Sequence, residues 1–147
     1  MRAAYKIKKT MEHILQSAKD GTSENERVHS LFAVDIVSMT HAHIIYVLFK
    51  IFRGSVEDPT TFKCPNLRGH MLDLVRIMAL HELTTQDSSS NYEAGYFAMG
   101  TAPILLEAQK KLLSKIRPQM ISLIEGWQFP DSMLVSAIGN SYGDIYE

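Results

Sequence analysis

The stretch from Leu31 to Phe52 constrains this chain more than any other, because it is apolar around most of its circumference and broken only by Asp35, His41, His43 and Lys50. On a 3.6-residue wheel Asp35, Ser38, His43, Tyr46 and Lys50 share one narrow stripe. Phe32, Val34, Ile36, Val37, Met39, Ile44, Ile45, Leu48, Phe49 and Ile51 cover most of the rest. Such a helix needs neighbours on several sides, so it is expected at the centre of a helical domain. A membrane span is not expected, since each charged group near a bilayer centre costs on the order of 3 kcal/mol.

The flanking sequence supplies those neighbours. From Tyr5 to Lys19, Ile7, Met11, Ile14, Leu15 and Ala18 recur at helical spacing, with Lys6, Lys8 and Lys9 on the wet side; Asp20-Gly21 ends the run. Thr22 to His29 has no apolar period and reads as a connector or a frayed helical start. Arg53 to Pro65 reads as a loop, with Gly54, Pro59 and Pro65. Asn66 can cap a helix from Leu67 to about Leu83 with Leu67, Met71, Leu74, Val75 and Met78 inward. Asp73 and Arg76 would then form an outer pair worth about 0 to 1 kcal/mol.

Thr84 to Asn91 is polar and reads as a mobile loop, and Tyr92 to Met99 as one or two helical turns closed by Gly100. Thr101 can cap the last long helix, with Pro103 in its first turn and Leu105, Ala108, Leu112, Ile116, Met120, Leu123 and Trp127 on one face. Pro118 demands a kink or a fresh start. Gly126 is placed to supply a left-handed C-cap, and Pro130 bars continuation. Asp131 can cap a short helix from Ser132 to about Ile138. No stretch alternates with period two, so the fold class is all-α, a bundle of four to six helices in one domain covering residues 1–147.

Chemistry is sparse. A net charge of -1 argues against a nucleic-acid surface. One cysteine, Cys64, excludes an internal disulfide and a thiolate zinc cluster, and it reads as a small buried or half-buried side chain. The glycines are dispersed and build no phosphate-cradling loop. His41 and His43 diverge on a helix and make a poor chelate; His43 suits a neighbouring helix or a partner chain. His70 and His81 lie too far apart to hold one ion. A self-sufficient enzyme built on His70 or Glu82 would need a placed base and a substrate pocket, and the sequence displays neither.

The tail carries a rarer order of residues. Arg117-Pro118, Ser122-Leu123-Ile124-Glu125, Phe129-Pro130-Asp131 and Gly143-Asp144-Ile145-Tyr146-Glu147 resemble the C-terminal domain of acyl-CoA oxidases. Asp35-Ile36-Val37, Ala42-His43, Tyr46 and Phe52 resemble an earlier segment of the same domain, in the expected order. The family's Gly-Arg-Tyr-Asp-Gly is here Gly139-Asn140-Ser141-Tyr142-Gly143.

The resemblance implies an FAD-dependent parent that oxidises fatty acyl-CoA to the trans-2-enoyl-CoA with dioxygen, giving hydrogen peroxide. It also implies that this segment lacks the flavin domain and the catalytic Glu. Neither a catalytic residue nor cofactor binding is therefore assigned, and no metal site. The chain is expected to brace an upstream flavin domain or a second oxidase subunit through His43, Arg117, Trp127, Phe129, Asp131, Gly139, Tyr142, Gly143 and Tyr146. A free-standing helical interaction module is the alternative. The resemblance implies a peroxisome; Ile145-Tyr146-Glu147 is not a Ser-Lys-Leu type import tripeptide, which keeps the cytoplasm open.

Overall fold

The computed structural model describes residues 2–85 and 88–134, with side chains except those of Asp131 and Ser132. Among the described residues there is no strand. The elements in order are α1 (Arg2–Lys19), α2 (Glu24–Glu26), a π-helical turn (Arg27–Leu31), α3 (Ala33–Glu57), α4 (Pro65–Thr84), α5 (Ser89–Glu93), α6 (Thr101–Ile116), a 3-10 turn (Arg117–Gln119), α7 (Met120–Glu125) and α8 (Asp131–Leu134). The all-helical class read from the sequence holds. The chain divides into two compact units, Met1–Leu112 and Leu113–Glu147.

In the first unit α3 packs against α1 and α4, and α5 packs against α1. The expectation of a buried helix with neighbours on several sides is corrected: α3 has these two packed flanks, but only Ala42 and Val56 along it are buried and a long apolar face stays open. The helix runs through Gly54 to Glu57, beyond the predicted stop at Phe52. Gly54 costs a helix about 1 kcal/mol relative to Ala, but Arg53 pairs with Glu57 one turn later at 2.8 Å, and Val56 is fully buried. Asp58 closes the helix and accepts from the amide and hydroxyl of Thr60 at 2.8 and 2.7 Å. Those two bonds hold its carboxyl below the usual carboxylate range.

Several other expectations shift. Ser23 caps α2 by accepting from the Glu26 amide at 3.3 Å, so of the two readings of this stretch, connector or frayed helical start, the helical one holds, through capping and not apolar periodicity. In α1 the buried residues are Ala3 and Thr10, while Met11 and Leu15 are exposed. Polar tethers set that rotation: Lys6 Nζ donates to Ser38 on α3 at 2.6 Å, so it is not a wet-side lysine. Helix α4 starts at Pro65, with Cys64 as the residue before it, and Asn66 lies inside the helix. Its Asp73 is buried at 1% exposure and bonds Arg76 at 2.8 Å, where an outer pair was expected. Cys64 itself is exposed.

The polar stretch read as a loop is partly interior. Gln86 and Asp87 lie outside the described residues, but Ser90 and Asn91 in α5 are buried. The Asn91 carbonyl accepts from the Tyr96 and Phe97 amides at 2.9 and 3.1 Å, and Tyr92 meets Phe97 edge to face at 5.5 Å. Gly95 and Gly100 hold the positive φ values, 72° and 89°, that let this corner turn into α6.

In the second unit, Pro118 gives a 3-10 turn and a fresh helix, as its ring requires. Ile116 is buried at 1% exposure. Gly126 stays right-handed at φ -59°, contrary to the left-handed cap expected of it; Gln128 takes the positive value, 53°. The Gln128 amide still reaches the Glu125 carbonyl at 2.9 Å, so the left-handed turn comes two residues later than predicted. Helix α8 begins at Asp131 itself, and the predicted continuation from Val135 to Ile138 lies outside the described residues.

Candidate functional site

The apolar side chains buried among the described residues are few: Ala3, Ala42, Val56, Val75 and Ile116. Large apolar side chains at the surface far outnumber them, and on α3 they form a pattern. Val34, Val37, Ile44, Leu48 and Ile51 are 81, 68, 50, 50 and 61% exposed. With the exposed His41 they recur at intervals of three and four, which at 100° per residue gathers them into an arc of roughly 100° along about 26 Å of helix. That is the spacing at which apolar side chains line up as a seam along one side of a helix. The polar-stripe reading of the wheel missed it, because it asked which side was wet and not which apolar side would lack a neighbour. The spacing was nevertheless legible at Val34, Val37, Ile44, Leu48 and Ile51.

Of the residues expected at an interface, His43 is exposed on α3 and Arg117 is exposed in the 3-10 turn. Trp127 and Phe129 are 73 and 56% exposed, with rings stacked at 6.0 Å and 9°. Backbone alone is described for Asp131, at the start of α8. Gly139, Tyr142, Gly143 and Tyr146 lie outside the described residues. His43 and the Arg117 to Phe129 segment belong to different units of the chain.

Charge chemistry concentrates where α1 meets α5. Lys9 Nζ lies 2.9 Å from the Glu93 carboxylate, and the Tyr5 hydroxyl donates to the same oxygen at 3.3 Å. The bond from Lys9, then its charge, holds the Glu93 carboxyl below the usual range; Glu93 in turn raises Lys9. Lys6 is lowered, first by burial and then by the charge of Arg2. This is a tether and not a catalytic dyad, since the opposite charges stabilise each other's ionised forms.

The sign follows. Glu93, depressed in the fold, contributes stability present above the unfolded glutamate pKa and lost as pH falls through its folded value. Lys9, raised, contributes below the unfolded lysine pKa and ceases to as pH rises through its folded value. The expected NMR titration midpoint of the Glu93 side-chain carboxyl lies below that of a free glutamate and returns toward it in Lys9→Ala.

No group of three metal-ligating side chains occurs among the described residues. Helix α3 is long and apolar enough, by length and composition, to cross a membrane, a test that core helices of soluble proteins also pass. Here it packs on α1 and α4.

The family model described as "Acyl-CoA oxidase" matches residues 1–147. The chain is 26% identical over 133 residues to a peroxisomal acyl-coenzyme A oxidase 1 of Phascolarctos cinereus, a match covering 90% of this chain and 20% of that protein. It is 23% identical over 145 residues to an acyl-coenzyme A oxidase of Candida glabrata, covering 97% and 19%. To a peroxisomal acyl-coenzyme A oxidase 2 of Oryctolagus cuniculus it is 25% identical over 145 residues, covering 99% and 21%. No solved structure matches significantly. The chain thus spans about a fifth of the length of these relatives. With an all-helical fold and a family match along its whole length, the chain belongs to the acyl-CoA oxidase family.

Proposed function

We propose that this chain is a helical bracing domain of an FAD-dependent acyl-CoA oxidase-like protein, covering the flavin domain and a dimer contact and performing no chemistry by itself. The observation that supports the reading is the open seam of α3, Val34 to Ile51, where few apolar side chains are buried among the described residues. Magnitudes favour a large partner over a short peptide. Fully burying a Val, Leu or Ile side chain is worth about 1.5 to 3 kcal/mol, so five that are already half covered or less contribute roughly 5 to 9 kcal/mol. Association costs an estimated 4 to 15 kcal/mol, so the seam alone offsets only the lower half of that range. A partner must therefore cover more than the seam, and the exposed Leu31 and Val47 of the same unit supply further apolar surface.

On this reading the parent removes the α-proton of a fatty acyl-CoA and passes a hydride from the β-carbon to the flavin, with dioxygen as the final acceptor. FAD and the catalytic base belong to the rest of that protein, and the peroxisome is its setting. This chain's residues hold the flavin domain in position and exclude water from its flank.

The test is reconstitution. A relative's oxidase, shortened by the segment this chain matches, is purified with its flavin and mixed with this chain. Co-elution on gel filtration and restored peroxide release on acyl-CoA support the reading. Separate elution, with the seam still open, counts against it and leaves the free-standing interaction module. Acyl-CoA turnover by this chain alone would contradict the non-catalytic role.

A further inference from the structure

The open face of α3 holds one ionisable group. At 100° per residue Asp35, His43, Lys50, Arg53 and Glu57 fall about 80° or more outside the arc of Val34, Val37, Ile44, Leu48 and Ile51. His41 lies within it, one turn after Val37 and one turn before Ile44. Its side chain is exposed, and no hydrogen bond, ion pair or ring contact holds it among the described residues. Histidine changes charge between about pH 5 and 8, so the arc is uncharged with a neutral His41 and carries a single cation when His41 is protonated.

The elements packed on α3 offer that cation no counter-charge. From α1, Lys6 is held on Ser38 at 2.6 Å, one turn before His41, and is itself a cation. Asp35 lines one pocket with Lys6 and Lys9. The Glu82 carboxylate of α4 is engaged by Arg2 at 3.4 Å, and Asp73 of α4 bonds Arg76 at 2.8 Å. In the π-helical turn Arg27 donates to the Thr22 carbonyl, and the His13 ring of α1 lies 6.5 Å from that of Phe32. An imidazolium at position 41 is therefore solvated by water, and docking removes that water. Burying a neutral polar ring costs far less than burying an unmatched charge.

We propose that the α3 arc docks against an uncharged, apolar surface of the flavin-bearing part only with His41 neutral, so that association weakens as pH falls. This rests on the bracing role given above and adds the chemistry of the partner's face, which places no carboxylate opposite His41. The sign follows from linkage. The free chain takes up a proton that the docked chain excludes, so docking strengthens as pH rises through the imidazole range and weakens as pH falls through it.

The experiment measures the affinity of the full 147-residue chain for the flavin-loaded, shortened relative by isothermal titration calorimetry. Flavin absorbance and helical circular dichroism report that both components stay folded. Excluding one imidazole proton weakens binding about tenfold from about pH 7.5 to about pH 5.5, or about fourfold from about pH 8 to about pH 6 if the oxidase loses its flavin at the lower value. The parent chain is expected to lose that much more affinity than His41→Leu over the same range, a comparison that cancels whatever the oxidase itself titrates. His41→Gln, polar but never charged, is expected to follow His41→Leu. Equal pH dependence in parent and His41→Leu overturns the proposal and leaves the bracing role standing, as does a His41→Gln profile that keeps the parent's slope. Tighter binding of the parent at the lower pH also overturns it, because a carboxylate then faces His41. Absence of association at every pH removes the bracing role and this proposal together.

Discussion

Val56→Asp is expected to abolish the cooperative unfolding transition of the first unit. Val56 is 0% exposed, near the end of α3. An uncompensated carboxylate at such a place costs about 3 to 5 kcal/mol. A domain of ordinary stability has roughly 5 to 15 kcal/mol in hand. This unit should sit low in that range, because so few of its apolar side chains are buried. The neighbouring Ser55 is exposed, and Ser55→Asp should change stability by no more than about 0.5 kcal/mol. Thermal melts followed by circular dichroism read both. A cooperative melt in Val56→Asp within a few degrees of the parent would mean that the burial at this turn of α3 is not what holds the unit together.

The second large effect concerns association, not folding. Ile44→Asp combined with Leu48→Asp places two carboxylates on the open seam of α3, where each parent side chain is 50% exposed. In the isolated chain water still reaches them, so the cost is limited to helix propensity and partial burial, about 1 to 2 kcal/mol for the pair. Against a partner that covers the seam, each carboxylate must be desolvated without a counter-charge, at about 2 kcal/mol or more apiece. If the seam meets the flavin-bearing part, as proposed, affinity for it falls at least 100-fold while helicity is kept. Equal affinity in the doubly substituted chain would place the contact elsewhere.

Much of the fold was legible because it rests on local rules. The period of Leu31 to Phe52 gave α3, the break at Pro118 gave two helices, and Thr101 with Pro103 marked the start of α6. What was missed was decided by tertiary burial or by caps. Nothing in the spacing of Asp73 and Arg76 says that the carboxylate goes inside, since a three-residue interval describes a pair equally well on either face. Ser90 and Asn91 read as loop residues because polarity predicts exposure, yet α1 packs over α5 and buries both. The short α2 carries no apolar period, and its signal was the Ser23 cap three residues before Glu26.

The candidate surface was legible in kind more than in place. Trp127 and Phe129 were expected at a contact, and both are exposed. The α3 seam was not singled out, because a sequence tells that a helix is apolar nearly all round but not which of its flanks the rest of the chain leaves open. That depends on how α1 and α4 approach, and the tether from Lys6 to Ser38 helps fix the first of those approaches.

The claim that the seam is made for a neighbour can be read at a single side chain. With Cys64→Ser removing the native thiol, Val37→Cys puts a lone thiol at a position 68% exposed in the parent. Its rate of maleimide labelling is measured with and without saturating flavin-bearing oxidase. The account predicts rapid labelling of the chain alone and at least tenfold protection in the mixture; an unchanged rate in a mixture that co-elutes would contradict it.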